Sequence, residues 1–334
     1  MPKFHLSQLI TIGIIVFILL FQGSAIHIFG QKAPHPLKSS QVELVAVPKV
    51  PIPIAQWQNL LAKTDVAYAQ PSKREDLPPQ ITATSAVIED GATKTVLFQR
   101  NADEQLPAAS TQKMMTALVA LEAFTPNTVL TVQAQDLEWS NVVGLEVGEQ
   151  LTVEDILKCL LIASSNESAE LLAREYPWGY DGFIDRMNQK ATEFGLIHTH
   201  FINPVGFDAT GQGVSANDLN TIADHFMSVP LLAAIVREPL LIVSDVTGVH
   251  QHSLATTNHL LVSSKDAVGI KTGTTPLAGE VLVSQFVVND KTIRIIVMGS
   301  TDRYGDTEKL YNWALQTYTW VEPPHLLEKI ELTF

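Results

Sequence analysis

The stretch "PAASTQKMMTALVALEAF", Pro107–Phe124, passes abruptly from small and polar side chains into an apolar helical run. At the junction Ser110 and Lys113 stand three apart, and on a helix such positions share a face, so a hydroxyl and an amine meet there. Two readings compete. Ser110 is a helix cap and Lys113 a surface lysine, or Ser110 is a nucleophile with its base beside it. In the second reading the nucleophile sits at a helix N-terminus, where free N–H groups favour developing negative charge. A Ser-x-x-Lys arises by chance about once in a chain of this length, so the rest of the sequence has to decide.

Two further clusters bear on the choice. "SSN", Ser164–Asn166, comes after the apolar run from Asp155 to Ala163. Alone it reads as a polar helix break, but between two helical patterns it makes a tight turn that presents Ser164 and Asn166 to one cleft. "GIKTGTT", Gly269–Thr275, ends an apolar strand. Its plain reading is a strand end with a solvated lysine. Lys-Thr-Gly, however, occurs by chance in roughly one such chain in ten, and a glycine in a strand lets a second backbone or a ligand approach closely.

Around these motifs the pattern is strands, then helices, then strands. "ITATSAVIEDGATKTVLFQ" is two β-rich runs about Asp90-Gly91, a hairpin signal. Helices run from Ser110, from "TVEDILKCLLIA" with a capping-box pattern at Thr152 and Asp155, through "ESAELLAREY" and "YDGFIDRMNQKATEFG", to "SANDLNTIADHFM" with Ser215 and Asp218. After Pro239, "LLIVSD", "AVGIKTG", "GEVLVSQFVV" and "KTIRIIVMGS" read as strands, the last two joined at Asn289-Asp290, and "DTEKLYNWALQTYTW" closes the domain as a helix. The expected architecture is α/β of the α+β kind: an antiparallel sheet built from both ends of the domain, flanked by helices, with a mostly helical subdomain between. An active site is expected at the seam.

With their flanks "AASTQKMMTALVALE", "LLIASSNESAELLA", "FINPVGFD", "SANDL", "TTNHLL" and "GIKTGTTPLAGEVLV", the three motifs in this order resemble those of the low-molecular-weight penicillin-binding proteins. More narrowly they are similar to the serine D-alanyl-D-alanine carboxypeptidases, over about residues 81–319. The resemblance implies a β-lactamase/DD-peptidase-like fold and an acyl-enzyme mechanism on the D-Ala-D-Ala end of a peptidoglycan stem peptide. Ser110 attacks the penultimate carbonyl. Lys113, as a neutral amine, takes the hydroxyl proton. Ser164 relays a proton to the leaving D-alanine, and Asn166 holds Lys113 and the substrate amide. Backbone N–H groups of Ser110 and Thr274 form the oxyanion hole, while Lys271 and Thr272, with Gly273 beside them, receive the terminal carboxylate. A β-lactam traps Ser110. Asn203, Gly206, Asn258 and Gly279 match family positions and are expected to shape the loops around the cleft.

The rivals are weighed on the same residues. A class A β-lactamase needs a Glu-x-x-Leu-Asn pattern after the middle motif; none lies between Asn166 and Lys271, and the middle motif is Ser-Ser-Asn rather than Ser-Asp-Asn. A DD-endopeptidase that cuts cross-links uses the same residues and stays open. A catalytically silent cell-wall-binding protein is disfavoured because every motif residue is present.

Composition bounds the remainder. The 334 residues carry 46 % hydrophobic and 17 % charged side chains, enough for a sizeable core. A net charge of −13 argues against nucleic acid as a partner. The single cysteine, Cys159, lies in an apolar run and reads as buried. No cofactor and no metal are expected, although His250 and His252 come nearest to a ligand pair. At the N-terminus, Lys3 precedes a charge-free apolar run, Leu9–Phe21. Its length suits a signal-peptide core, and uncut the segment anchors the chain in a membrane. Either way the rest of the chain is exported, to the extracytoplasmic face of a bacterial cell membrane or beyond it. The expected organisation is thus an export or anchor segment (1–30), a Pro-rich linker (31–80), a catalytic domain (81–320) and a short tail (321–334), without the β-rich C-terminal domain that many family members carry.

Overall fold

The computed structural model describes residues 68–71 and 77–321. The expected export or anchor segment, most of the expected linker and all but the first residue of the expected tail lie outside these. In chain order the strands are β1 (Tyr68–Pro71), β2 (Ser85–Asp90), β3 (Thr95–Arg100), β4 (Val129–Thr131), β5 (Gln150–Thr152), β6 (Leu240–Ser244), β7 (Gln251–Ala255), β8 (Ala267–Thr275), β9 (Gly279–Val288), β10 (Lys291–Ser300) and β11 (Tyr318–Val321). The helices are α1 (Lys113–Ala123), α2 (Val153–Ile162), α3 (Asn166–Arg174), α4 (Gly179–Glu193), α5 (Ala216–Met227), α6 (Pro230–Ile235), α7 (Leu260–Ser263) and α8 (Arg303–Thr317).

The main sheet has the order β3-β2-β10-β9-β8, all antiparallel, so both ends of the domain do build it. Apart from buried Ser284 and Gln285 of β9 and Arg294 of β10, the middles of its central strands β9 and β10 are apolar on both alternates, the mark of strands covered on both faces. Ile295 and Val297 of β10, with Ile88 of β2 and Leu282 of β9, pack against Leu310 and Ala314 of α8. The alternate residues, Ile296 and Met298 of β10, Val87 of β2 and Val283 of β9, face the helical layer and join the core that contains α1, α2 and α5. Register is set by this alternation, since a one-residue slip would exchange the two cores; Ile295 pairs with Ile88, and Ile296 with Val87.

The turn chemistry is as the sequence reads. Asn289 and Asp290 both take positive φ (48° and 62°) between β9 and β10, and Thr152 caps α2 by accepting from Asp155 N at 3.2 Å. Ser215 caps α5 likewise, from Asp218 N at 3.1 Å, but the Asp218 carboxylate does not complete a capping box; it accepts from His198 N and Thr199 Oγ1 instead. Two strands depart from the expected layout. "LLIVSD" does not join the main sheet; β6 pairs with β7 as a separate hairpin that packs on α2. Residues 68–71, read from sequence as part of the linker, form β1, which pairs antiparallel with β11, Tyr68 opposite Val321. Their proline content concealed this, because Pro71 closes a two-stranded ribbon where no further ladder bond is asked of it. Among the described residues no helix is long and apolar enough to cross a membrane.

Candidate active site

Ser110 does not cap a helix. It lies in a 3-10 turn, Ala109–Gln112, that runs directly into α1, and its side chain makes no capping bond. The turn is held from two sides by glycines. Asn203 Oδ1 accepts from the N–H groups of Val205, Gly206 and Phe207, which curls the "NPVG" segment into a tight turn. In that turn Gly206 has φ +98° and lies so close that a Cβ there would sit 2.0 Å from Ala109 O. On the other side Gly273 of β8 faces the nucleophile's backbone, where a Cβ would be 2.8 Å from Ser110 N. Thr116 Oγ1 also donates to Pro204 O at 2.6 Å, tying α1 to the same turn. Gly279 and Asn258 are structural as expected. Gly279 turns into β9 at φ +62°, and Asn258 Oδ1 accepts from Leu260 N at 3.2 Å.

Lys113 is fully buried, and its amine sits at the centre of the three motifs. Nζ lies 3.1 Å from Ser110 Oγ, 2.6 Å from Ser164 O, 2.6 Å from Asn166 Oδ1 and 3.3 Å from Ser164 Oγ. A neutral amine has two hydrogens and one lone pair. The two short bonds to Ser164 O and Asn166 Oδ1 use the hydrogens and leave the lone pair for the Ser110 hydroxyl. Burial and then the nearby Lys271 ammonium hold Lys113 well below the usual lysine range, against an opposite pull from Glu167 and Glu170.

The "SSN" turn supplies the second wall. Ser164 takes φ +60°, an uncommon conformation for a non-glycine residue. Ser165 then caps α3, accepting from Ser168 N at 3.0 Å. The cap fixes the start of α3, and with it the position of Asn166. Lys271 of β8, also buried, donates to Ser164 Oγ at 2.8 Å and to Thr272 O at 3.1 Å. Burial, with a smaller contribution from Arg303, pushes Lys271 down to about 7. The Ser164 hydroxyl therefore lies between two amines of lowered basicity and is placed to pass protons. β8 is an edge strand of the main sheet, so an extended peptide can pair along it beside Ser110. Thr274, whose N–H is the expected second oxyanion donor, is exposed there.

The residues expected to catalyse and to bind substrate thus fall in one cluster, with Ser110, Lys113, Ser164, Asn166 and Lys271 joined by hydrogen bonds and Thr272–Thr274 continuing along β8. Sequence reading missed four neighbours. Thr257 Oγ1 lies 2.6 Å from Thr272 Oγ1, while its backbone bridges the Tyr304 hydroxyl (2.9 Å) and Ile162 O (3.2 Å), the latter just before the "SSN" turn. Arg303 donates to Gly273 O at 2.8 Å from the start of α8. Buried Glu167, next to Asn166, accepts from Val143 N at 2.8 Å and anchors the loop beyond residue 137. Half-buried Glu170, one turn further along α3, is pushed up to about 7 chiefly by burial. "TTNHLL" was a visible stretch, but nothing in it marks the first of its middle residues, and Arg303 and the two glutamates carry no local signal.

His252 Nδ1 lies 3.2 Å from the acceptor Val143 O and Nε2 2.6 Å from Glu149 Oε1, so the ring clasps the same loop that Glu167 holds. Among the described residues no three His, Cys, Asp or Glu side chains group as metal ligands. Cys159 is buried, and burial pushes its thiol up, away from reactivity.

A family model described as D-alanyl-D-alanine carboxypeptidase, of the S11 peptidases, matches residues 72–302. A D-alanyl-D-alanine endopeptidase of Escherichia coli K12 is 32 % identical over 244 residues, covering 70 % of this chain and 78 % of the relative. D-alanyl-D-alanine carboxypeptidase DacC of the same organism is 30 % identical over 261 residues, covering 73 % of this chain and 64 % of the relative. Among solved structures, the Streptomyces K15 DD-transpeptidase superposes with a TM-score of 0.69 at 28 % identity, over 72 % of this chain and 100 % of that one.

Proposed function

The chain belongs to the D-alanyl-D-alanine carboxypeptidase family of serine peptidases, and from that premise we propose how its residues remove the terminal D-alanine from peptidoglycan stem peptides. The carrying observation is the Lys113 amine, held by Ser164 O and Asn166 Oδ1 with Ser110 Oγ on its remaining side. Ser110 Oγ attacks the penultimate D-Ala carbonyl as its proton passes to Lys113 Nζ. The tetrahedral oxyanion is received by the Ser110 and Thr274 N–H groups. The proton then moves through Ser164 Oγ to the leaving amine, D-alanine departs, and water resolves the acyl-enzyme by the same path in reverse. Lys271 and the Thr272 hydroxyl take the substrate's terminal carboxylate. A β-lactam enters the same site and leaves Ser110 acylated.

Mass spectrometry of muropeptides after digestion tests the reaction. Loss of one D-alanine from pentapeptides is expected. The endopeptidase relative favours a second reading, in which cross-linked dimers are split while pentapeptides persist. Ser110→Ala is expected to abolish labelling by fluorescent penicillin, and a wild-type chain that neither labels nor releases D-alanine would overturn both readings. The apolar run Leu9–Phe21 supports a place on the outer face of the cell membrane, held by that segment. Fractionation tests it, and a soluble mature protein beginning near Ile26 would refute anchoring.

A further inference from the structure

Away from the catalytic cluster, α4 and the segment before it enclose an open cavity of about 810 Å³ whose lining includes Tyr176, Trp178, Asp181, Asp185 and Gln189. Trp178 is 76 % exposed yet held in place. Its ring lies against Tyr176, centroids 5.4 Å apart, and Tyr176 is itself fixed edge-on to Phe183. Trp178 rests on Gly182: a Cβ at that position would come within 2.6 Å of Trp178 Cβ. A glycine inside an exposed helix costs about 1 kcal/mol relative to alanine, and here the bare Cα is what lets the tryptophan lie down over the first turn of α4.

Beyond the ring, Asp181, Asp185 and Gln189 recur at four-residue intervals, all exposed, and so form one stripe along the helix. The stripe runs ~12 Å, the length of about two sugar rings. Among the described residues neither the Asp185 carboxylate nor the Gln189 amide has a hydrogen-bond partner. The cation in the groove, Arg186, is already taken by Glu122 (2.7 Å) and Glu193 (2.5 Å). An exposed aromatic face continued by planar oxygen acceptors and an amide, in an open trough, matches a carbohydrate, whose ring C–H face stacks and whose hydroxyl and acetamido groups hydrogen-bond.

The location fits the proposed substrate. α3 begins at catalytic Asn166, and its nine residues carry the chain ~13 Å to the segment that bears Tyr176 and Trp178. A five-residue stem spans at most ~17 Å. We propose that the Trp178–Gln189 groove is a glycan subsite that holds the sugar strand of peptidoglycan while a stem hung from it reaches Ser110. This rests on the peptidoglycan reading above.

The full chain is tested with peptide-free glycan strands in a pull-down, alongside D-alanine release from a soluble pentapeptide and from uncross-linked polymeric peptidoglycan. Trp178→Ala and Asp185→Asn are expected to weaken glycan binding about tenfold and to raise KM on the polymer. Release from the soluble pentapeptide and penicillin labelling stay within twofold of the parent, and Trp178→Phe retains most of the binding. Parental glycan binding by both variants overturns the subsite, as does an equal loss on polymer and soluble peptide. Capture of a polylysine probe by the parent, lost in the variants, with no glycan binding, assigns the groove to a basic partner and also overturns it. If the parent releases D-alanine but ignores glycan, only the subsite falls; if it neither releases D-alanine nor labels with penicillin, the catalytic reading falls.

Discussion

A single methyl group placed on Gly273 tests how closely β8 must pack on the nucleophile's turn. In Gly273→Ala the new Cβ would lie 2.8 Å from Ser110 N, 2.9 Å from Ala109 Cβ and 3.1 Å from Ala108 O, where relaxed carbon contacts need about 3.5–4.0 Å. None of the three atoms is the swinging end of a side chain, so β8 or the Ser110 turn must retreat by roughly half an ångström or more. β8 is held by its register with β9, from Thr272 opposite Leu282 to Thr275 opposite Gly279. The turn is held from behind by Gly206 against Ala109 O. Overpacking of this kind costs about 1–3 kcal/mol, or roughly 2–12 °C in melting temperature for a domain of this size. Acylation suffers more, since a displacement of about 1 Å at a reacting group costs on the order of 100-fold. The assay is a time course of fluorescent-penicillin labelling beside a thermal melt. The expected result is a folded protein that acylates about 100-fold more slowly. A parental labelling rate would refute the packing argument. A labelling loss that merely tracks the unfolded fraction would show that only stability had changed.

Other perturbations read the site's electrostatics and its supports. Thr257→Val removes the hydroxyl beside Thr272 Oγ1, a bond worth about 0.5–1.5 kcal/mol. KM for a soluble pentapeptide should rise roughly two- to tenfold with kcat kept, and Thr257→Ser should restore it; an equal fall in kcat would sink the idea. Glu170→Gln removes a charge that raises the Lys113 pKa. Above about pH 7, where Glu170 is ionised, the amine then loses its proton more readily, so an acid limb lying in that range of the kcat/KM profile should move to lower pH; an unmoved limb there refutes the coupling. Lys271, at about 7 against an ordinary 10.5, holds fewer protons folded than unfolded between those values. Its contribution to stability therefore rises with pH across that window, by up to about 1.4 kcal/mol per unit. Lys271→Met should outlast the parent in urea at pH 7, with the advantage shrinking toward pH 10; a constant difference would contradict the buried titration.

The strands of the main sheet were legible because both faces are covered, which leaves runs such as "KTIRIIVMGS" apolar at most central positions, Arg294 being the buried exception. The cluster was legible because Ser110, Lys113, Ser164, Asn166 and Lys271 fall in three compact motifs. What stayed hidden depends on folding itself. Thr257 and Thr272 are brought together only when α7 and β8 are in place, and a threonine in a polar stretch looks like any turn residue. Arg303 reaches Gly273 O from the far end of the domain. The expectation that Ser110 begins the helix misjudged its setting by one turn: a 3-10 segment, pinned between Gly206 and Gly273, presents the hydroxyl, and neither glycine is near it in sequence. β1 was missed because a four-residue strand that ends in a proline carries too little pattern to distinguish it from a tether.

The β1–β11 ribbon has a mechanical consequence. Tyr68 and Val321 lie opposite each other, so the chain enters and leaves the catalytic unit at one point. A load applied through both ends there would open the ribbon one residue pair at a time, and it would not pass through the main sheet or the cleft. A peptidase held by either end hangs from a single pivot, with Lys113 and Lys271 outside the line of force. Under such a load the distances around Ser110 stay as they are.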